Sequence, residues 1–176
     1  MEITDKHRKL LADLEPAKIP WRRLTIAVDG GDGAGKSTLA RFLSWQLGMP
    51  AIETDLFLRA HAHEPSYDLK ALAKVVEARH GLNRPVIIEG MCVLETLRRI
   101  GIEPEYRVYV EMPGHPGSDR WQARFRQYRR EYRPKDQAML FRRRPSICHA
   151  EQGAAPDRGH AGVRPRSTAS RRGRGR

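Results

Sequence analysis

The sequence predicts an α/β fold in three layers, a parallel sheet with helices on both faces. Three observations predict it. Short apolar runs alternate with segments whose apolar residues recur at helical spacing, which is the pattern of strand–helix–strand units. The run Val86-Ile87-Ile88 is continuously apolar, as a strand covered on both faces must be. A glycine-rich turn from Gly30 to Gly35 joins the first apolar strand directly to a helix.

Each element has a local reason. Thr4 to Leu14 is expected to be a short helix, capped by Thr4 or Asp5 and carrying Leu10, Leu11 and Leu14 as its stripe. Pro16 and Pro20 interrupt the chain before a first strand, Leu24 to Asp29. The helix after the glycine turn carries apolar residues from Leu39 to Leu47 and stops at Gly48 and Pro50. Ala51 to Thr54 reads as a second strand ending at Asp55. Asp68 to His80 is a helix by the spacing of Leu69, Leu72, Ala73 and Val76, with Gly81 as terminator. Pro85 to Gly90 is the third strand, Val93 to Arg99 a helix, and Tyr106 to Glu111 a fourth strand closed by Pro113 and Gly114. Gly117 to Arg133 is a long arginine-rich helix whose Trp121, Phe125, Tyr128 and Tyr132 form a stripe suited to packing. Past Met139 the periodicity ends, and no apolar strand is visible beyond Leu140.

The chain of 176 residues has room for one domain, expected at 21–140, preceded by a helix and linker at 1–20. No apolar stretch reaches the roughly 18 residues a membrane span needs, so no membrane partner is expected. Met1 to His7 lacks the apolar centre of a signal peptide, and Cys92 and Cys148 stand in unrelated contexts; both features fit a cytoplasmic protein. The formal charge of +12 is unevenly distributed. Residues 141–176 hold +8 of it, with ten arginines, no lysine, and Glu151 and Asp157 as the only acids. That tail is expected to be disordered, being too poor in large apolar residues to form a core. Its composition is open to three readings: an RNA-binding arm, a plain unstructured end, or the product of a shifted reading frame.

Gly30 to Thr38 satisfies the glycine, four residues, Gly-Lys-Ser pattern of a nucleotide-binding P-loop. The chemistry explains the residue types. Backbone N–H groups of Gly30, Gly31, Asp32, Gly33, Ala34 and Gly35 must approach a polyphosphate closely, and glycines keep side chains out of its way. Lys36 would reach the β- and γ-phosphates of a triphosphate, Ser37 would bind Mg²⁺, and Thr38 continues the helix N-terminus whose dipole favours anions. Glu89, at the end of the third strand, is placed to ligate Mg²⁺ or its waters. Asp55 is placed either to take the proton of an attacking hydroxyl or to cap the turn that follows it. Arg126 and Arg130 are candidates to close over the transferring phosphate. His61, His63 and Glu64 lack further ligands at metal spacing and read as an exposed loop.

With these residues in view, the chain resembles the uridine kinase branch of P-loop kinases. The resemblance rests on Ile26 through Leu39, on Glu53-Thr54-Asp55-Leu56-Phe57, on Ile87-Ile88-Glu89-Gly90 and on the arginine-rich segment, and it covers about residues 22 to 135. It implies a P-loop NTPase sandwich with sheet order 2-3-1-4-5 and MgATP as donor. It also implies Asp55 as acceptor base, a lid within 117–135, and a small-molecule acceptor, most simply a nucleoside. A nucleoside monophosphate kinase is the near alternative. A fifth strand is implied that the residue pattern does not display. A GTPase is disfavoured because the sole asparagine, Asn83, is followed by Arg84 rather than completing a guanine-binding Asn-Lys-x-Asp. The remaining class is a regulatory nucleotide-binding protein whose tail binds nucleic acid.

Overall fold

The structure, a computed structural model, describes residues 3–18, 21–59, 66–115 and 117–142. The expected loop of His61, His63 and Glu64, Cys148, and all of the basic tail after Arg142 lie outside the described residues.

Five strands form one parallel sheet in the order β2-β3-β1-β4-β5. They are β1 (Thr25–Gly30), β2 (Ala51–Glu53), β3 (Val86–Gly90), β4 (Tyr106–Glu111) and β5 (Met139–Arg142), and the helices are α1 (Asp5–Asp13), α2 (Lys36–Leu47), α3 (Leu69–His80), α4 (Val93–Arg99) and α5 (Asp119–Tyr132). Strand β1 lies at the centre, buried along its whole length, with Ala27 opposite Ile88 on one side and Val28 opposite Val108 on the other.

The side-chain alternation of β1 divides the core in two. Ile26 and Val28 face a cluster containing Leu39 and Leu43 of α2 and Phe141 of β5. Ala27 faces a second cluster with Leu72 and Val76 of α3, Val93 and Leu97 of α4, and Tyr128 of α5. Helices α1 and α2 cover one face; α3, α4 and α5 cover the other.

Two features go beyond the residue pattern. The fifth strand exists: Val110 pairs with Phe141 and Glu111 with Arg142, parallel. Four residues with one buried side chain, Phe141, are too short for periodicity to reveal them. Strand β5 runs through the expected boundary at residue 140 as far as Arg142. The N-terminal helix is also built into the core. Leu10, Leu14 and Ala17 are buried with the α2 cluster, and His7 sits edge-on to Phe42 and Phe141, at 5.0 and 4.8 Å between ring centres. Residues 4–17 thus complete the layer over β5.

A parallel register brings all strand carboxyl ends to one rim. Asp29 pairs with Gly90, Glu53 with Glu89, and Gly30 with Val110, so the glycine loop and the acidic strand ends meet there.

Candidate active site

The P-loop leaves β1 at Gly30 and enters α2 at Lys36. Two of its glycines are required sterically. A Cβ on Gly30 would run into the carbonyl oxygen of Val110, because β4 packs directly alongside. Gly35 caps α2 in the left-handed region, with φ of 94°, which a side chain disfavours. The ring of Phe125 lies 3.4 Å from where a Cβ of Gly31 would stand, and His115 closes over Gly33. The cradle is thus roofed by α5 and by the segment leading into it.

Lys36 Nζ donates to the Gly31 carbonyl at 2.9 Å, so the ammonium crosses the concavity where a phosphate would lie. Ser37 Oγ donates to Glu89 Oε1 at 2.9 Å. Glu89 is buried at the end of β3, and its second oxygen, Oε2, has no hydrogen-bond partner. Burial pushes the Glu89 carboxyl above its ordinary value, while the Ser37 hydroxyl and the Lys36 charge pull it back. A buried carboxylate with one oxygen unmatched, beside a hydroxyl on a helix N-terminus, fits a hard divalent cation. No group of three or more acidic, histidine or cysteine side chains suited to a metal occurs among the described residues.

Asp29, the penultimate residue of β1, is buried beneath the loop. Its Oδ1 accepts from the Gly30 N–H at 2.7 Å, and its Oδ2 accepts from the Tyr128 hydroxyl. Burial raises its carboxyl to about 6, against the opposing pull of Tyr128, Gly30 and Lys36. Cys92 lies nearby, and burial pushes its thiol to about 12, which removes it from nucleophilic chemistry.

Asp55 belongs to a single 3₁₀ turn, Thr54–Phe57, directly after β2. It does not cap the turn, since Glu53 occupies that position. Its carboxylate is exposed and lines a cleft of about 100 Å³ shared with Asp32 and Lys36, walled by Leu58, Tyr67, Met91 and Trp121. The expected base and the expected phosphate-binding lysine therefore meet in one place.

A larger cleft of about 440 Å³ opens on the β4 side of the loop. Gly31 and Ala34 form its floor, the residues after Val110 one wall, and Gln122, Phe125, Arg126 and Arg129 of α5 the other. Of the two arginines expected to close over a phosphate, Arg126 lines this cleft. Arg130, the other expected arginine, lines neither cleft, whereas Arg129, three residues after Arg126 on the helix, lines this one. Helical spacing alone leaves Arg129 and Arg130 equivalent, and the seating of Tyr128 in the core decides between them.

Helix α5 is anchored rather than loose. Tyr128 is fully buried and its ring stacks between Phe125 and Tyr132, at 5.9 and 5.1 Å between centres. Arg124 pairs with Glu95 of α4. Tyr67, Met91 and Trp121 of the smaller cleft carried no sequence signal of their own: the first two lie outside any motif, and Trp121 reads as one more member of a packing stripe.

No protein-family model matches the chain. Two curated relatives do. A cytidylate kinase of Desulfitobacterium hafniense is 32% identical over 103 residues, covering 52% of this chain and 44% of that protein. A cytidylate kinase of Symbiobacterium thermophilum is 37% identical over 91 residues, covering 44% and 40%. The chain thus spans less than half the length of the curated relatives it matches. Among solved structures, a possible uridine kinase from Bacillus stearothermophilus superposes with a TM-score of 0.57 at 17% identity, covering 80% of this chain and all of the other. The chain shares its fold with that structure. No described helix is long and apolar enough to cross a membrane.

Proposed function

We propose that this chain is an ATP-dependent kinase that transfers the γ-phosphate to a hydroxyl of a small molecule, most simply a nucleoside. The observation that carries the reading is the shared cleft of Lys36 and Asp55, set beside the Ser37–Glu89 pair. A hydrolase needs the first and last of these; a carboxylate reaching the same cleft from the turn after a separate strand is what an acceptor hydroxyl requires.

In this reading the backbone N–H groups of residues 30–35 and the N-terminus of α2 hold the β-phosphate. Lys36 leaves the Gly31 carbonyl to bind the β- and γ-phosphates. Ser37 and Glu89 would hold Mg²⁺, which would supply neutralisation of charge on the phosphate oxygens. Arg126 and Arg129 bring positive charge to the triphosphate from the β4 side. Asp55 accepts the acceptor's hydroxyl proton as its oxygen bonds to the γ-phosphorus and the bond to the β–γ bridging oxygen breaks, leaving ADP. The buried Asp29 positions the loop through Gly30.

The two cytidylate kinase relatives favour a second reading, in which the acceptor is a nucleoside monophosphate. One experiment tests both. ADP release is measured with Mg²⁺ and ATP against matched nucleosides and monophosphates, in the native chain and in Asp55→Asn. The proposal expects nucleoside-stimulated turnover that Asp55→Asn abolishes while ATP binding persists. No stimulation by any acceptor, with ATP bound, would refute it.

A further inference from the structure

The rim opposite the glycine loop, where the strands begin, has a charge of its own. Three connections end there side by side. Residues 21–24 lead into β1, residues 79–85 lead from α3 into β3, and residues 98–105 lead from α4 into β4. They carry six arginines and no lysine against two acids, Glu103 and Glu105, a net +4. Residues 1–140 as a whole also carry +4, so everything outside these connections sums to zero. Both acids are engaged: Glu103 pairs with Arg107, and Glu105 accepts from the Thr25 N–H at 2.7 Å. Of the arginines, Arg79 is spent on the Pro85 carbonyl and Arg84 lies over the Trp21 ring, 3.4 Å from its centre. Arg22, Arg23, Arg98 and Arg99 are exposed and make no ion pair among the described residues. Cations gathered without counter-charge attract a polyanion.

The same rim offers two places for a flat ring. Trp21 is 68% exposed: the Arg84 guanidinium covers one face of the indole and leaves the other to solvent. A ring held in this way and open on its second face is a stacking platform. Between the ends of α3 and α4 lies a recess of about 290 Å³, with Arg23 at its edge, Glu77 and His80 on one side and Ile100 and Ile102 on the other. Burial, aided by the Arg23 charge, holds the His80 imidazole below its ordinary value, so it is a neutral wall. Glu77 is the one acid there.

We propose that this rim is a binding surface for single-stranded nucleic acid, an inference that does not depend on the kinase reading above. Arg22, Arg23, Arg98 and Arg99 take backbone phosphates, one base stacks on the open face of Trp21, and a second enters the recess beside Ile100 and Ile102. Arginine in place of lysine suits phosphate, which the planar guanidinium grips with two parallel hydrogen bonds. The exposed indole selects bases over an acidic polypeptide, and a single strand over a duplex, whose base faces are hidden.

A W45F/W121F protein, otherwise the full chain, keeps Trp21 as the sole indole. Its emission is followed while a short oligouridylate is added at several salt concentrations. The expected result is saturable quenching whose affinity falls with salt. R98A/R99A should lower the log–log salt slope by about 1.4, two phosphate contacts at about 0.7 each. An unchanged slope overturns the proposal. So does equal quenching by a polyglutamate of matched charge, which would assign the rim to acidic polypeptides. A response to anionic lipid vesicles alone would assign it to a membrane surface instead. Absence of quenching overturns it as well, whether the strand fails to bind or binds elsewhere, residues 143–176 included. The native chain supplies a second measurement, free of any substitution. Photo-crosslinking of a thiouridine-bearing strand, read by peptide mass spectrometry, should mark Trp21 or residues 98–105; crosslinks confined to other segments overturn the proposal.

Discussion

Tyr128 donates its hydroxyl hydrogen to Asp29, tying the middle of α5 to the end of β1 across 99 positions of sequence. Both groups are buried, so water cannot replace the bond if it is lost. Tyr128→Phe keeps the ring that stacks between Phe125 and Tyr132 and removes only the donor. It should destabilise the protein by about 1–3 kcal/mol at neutral pH, the cost of an under-satisfied buried carboxylate. Urea denaturation of the two proteins checks this. The same variant should weaken nucleotide binding, because Asp29 also holds Gly30.

Asp29 has a pH signature with a defined sign. Its carboxyl titrates near 6 when folded and near its ordinary 3.8 when unfolded. The folded state therefore holds the proton more tightly, and the associated stability is fully present below 3.8 and lost as pH rises to about 6. Linkage puts the change on the order of 3 kcal/mol. Asp29→Asn cannot titrate, so the stability difference between wild type and variant should move by that amount, against wild type, between pH 4 and pH 7. A difference that stays flat across this range would show that the group is not perturbed.

The long-range character of that bond shows where sequence reasoning stops. The P-loop, Asp55 and Glu89 were legible because each sits at a strand end, and a parallel sheet sends all such ends to one rim. Strand order followed from the resemblance carried by the same residues. The pairing of Tyr128 with Asp29 was not legible, since a tyrosine in an apolar stripe looks identical whether its hydroxyl meets solvent or a buried acid. The choice of Arg129 over Arg130 hangs on that seating. Strand β5 escaped because its four residues bury only Phe141, too little for a period of two to register. The covering role of α1 escaped for a related reason: the Leu10 and Leu14 stripe is visible, but its partner, Phe141, lies more than 120 positions further along the sequence, in a strand with no pattern of its own.

Glu89 separates stability from activity. Its burial raises its carboxyl, so the ionised form is held at a cost that the missing Oε2 partner makes worse. Glu89→Gln retains an acceptor for the Ser37 hydroxyl and carries no charge. The unliganded protein should therefore become more stable at neutral pH, visible as a higher denaturation midpoint. Magnesium-dependent turnover should fall by about 100-fold, the scale for losing a metal-holding oxygen. Stabilising substitutions that impair activity mark sites where function has been retained against stability. A loss of both properties would mean that Glu89 is structural.

The arginines of α5 provide the sharpest internal comparison. Arg126 and Arg129 line the β4-side cleft above Gly31 and Ala34, whereas Arg130 is exposed away from it. All three are surface cations on one helix, so their alanine variants should differ little in folding. Their kinetics should differ greatly. On the proposed kinase reading, Arg126→Ala and Arg129→Ala each remove a positive charge from the wall of that cleft and should lower kcat by on the order of 10²–10³. Arg129 also lies 5.0 Å from the Phe125 ring centre, which holds it over the cradle; its variant should therefore raise the KM for ATP as well. Arg130→Ala should cost least of the three. Steady-state rates for the set, with circular dichroism as a folding control, decide the matter: a ranking in which Arg130 matters most would mean that α5 turns about its axis when nucleotide binds, and that the cleft described here is not the donor site.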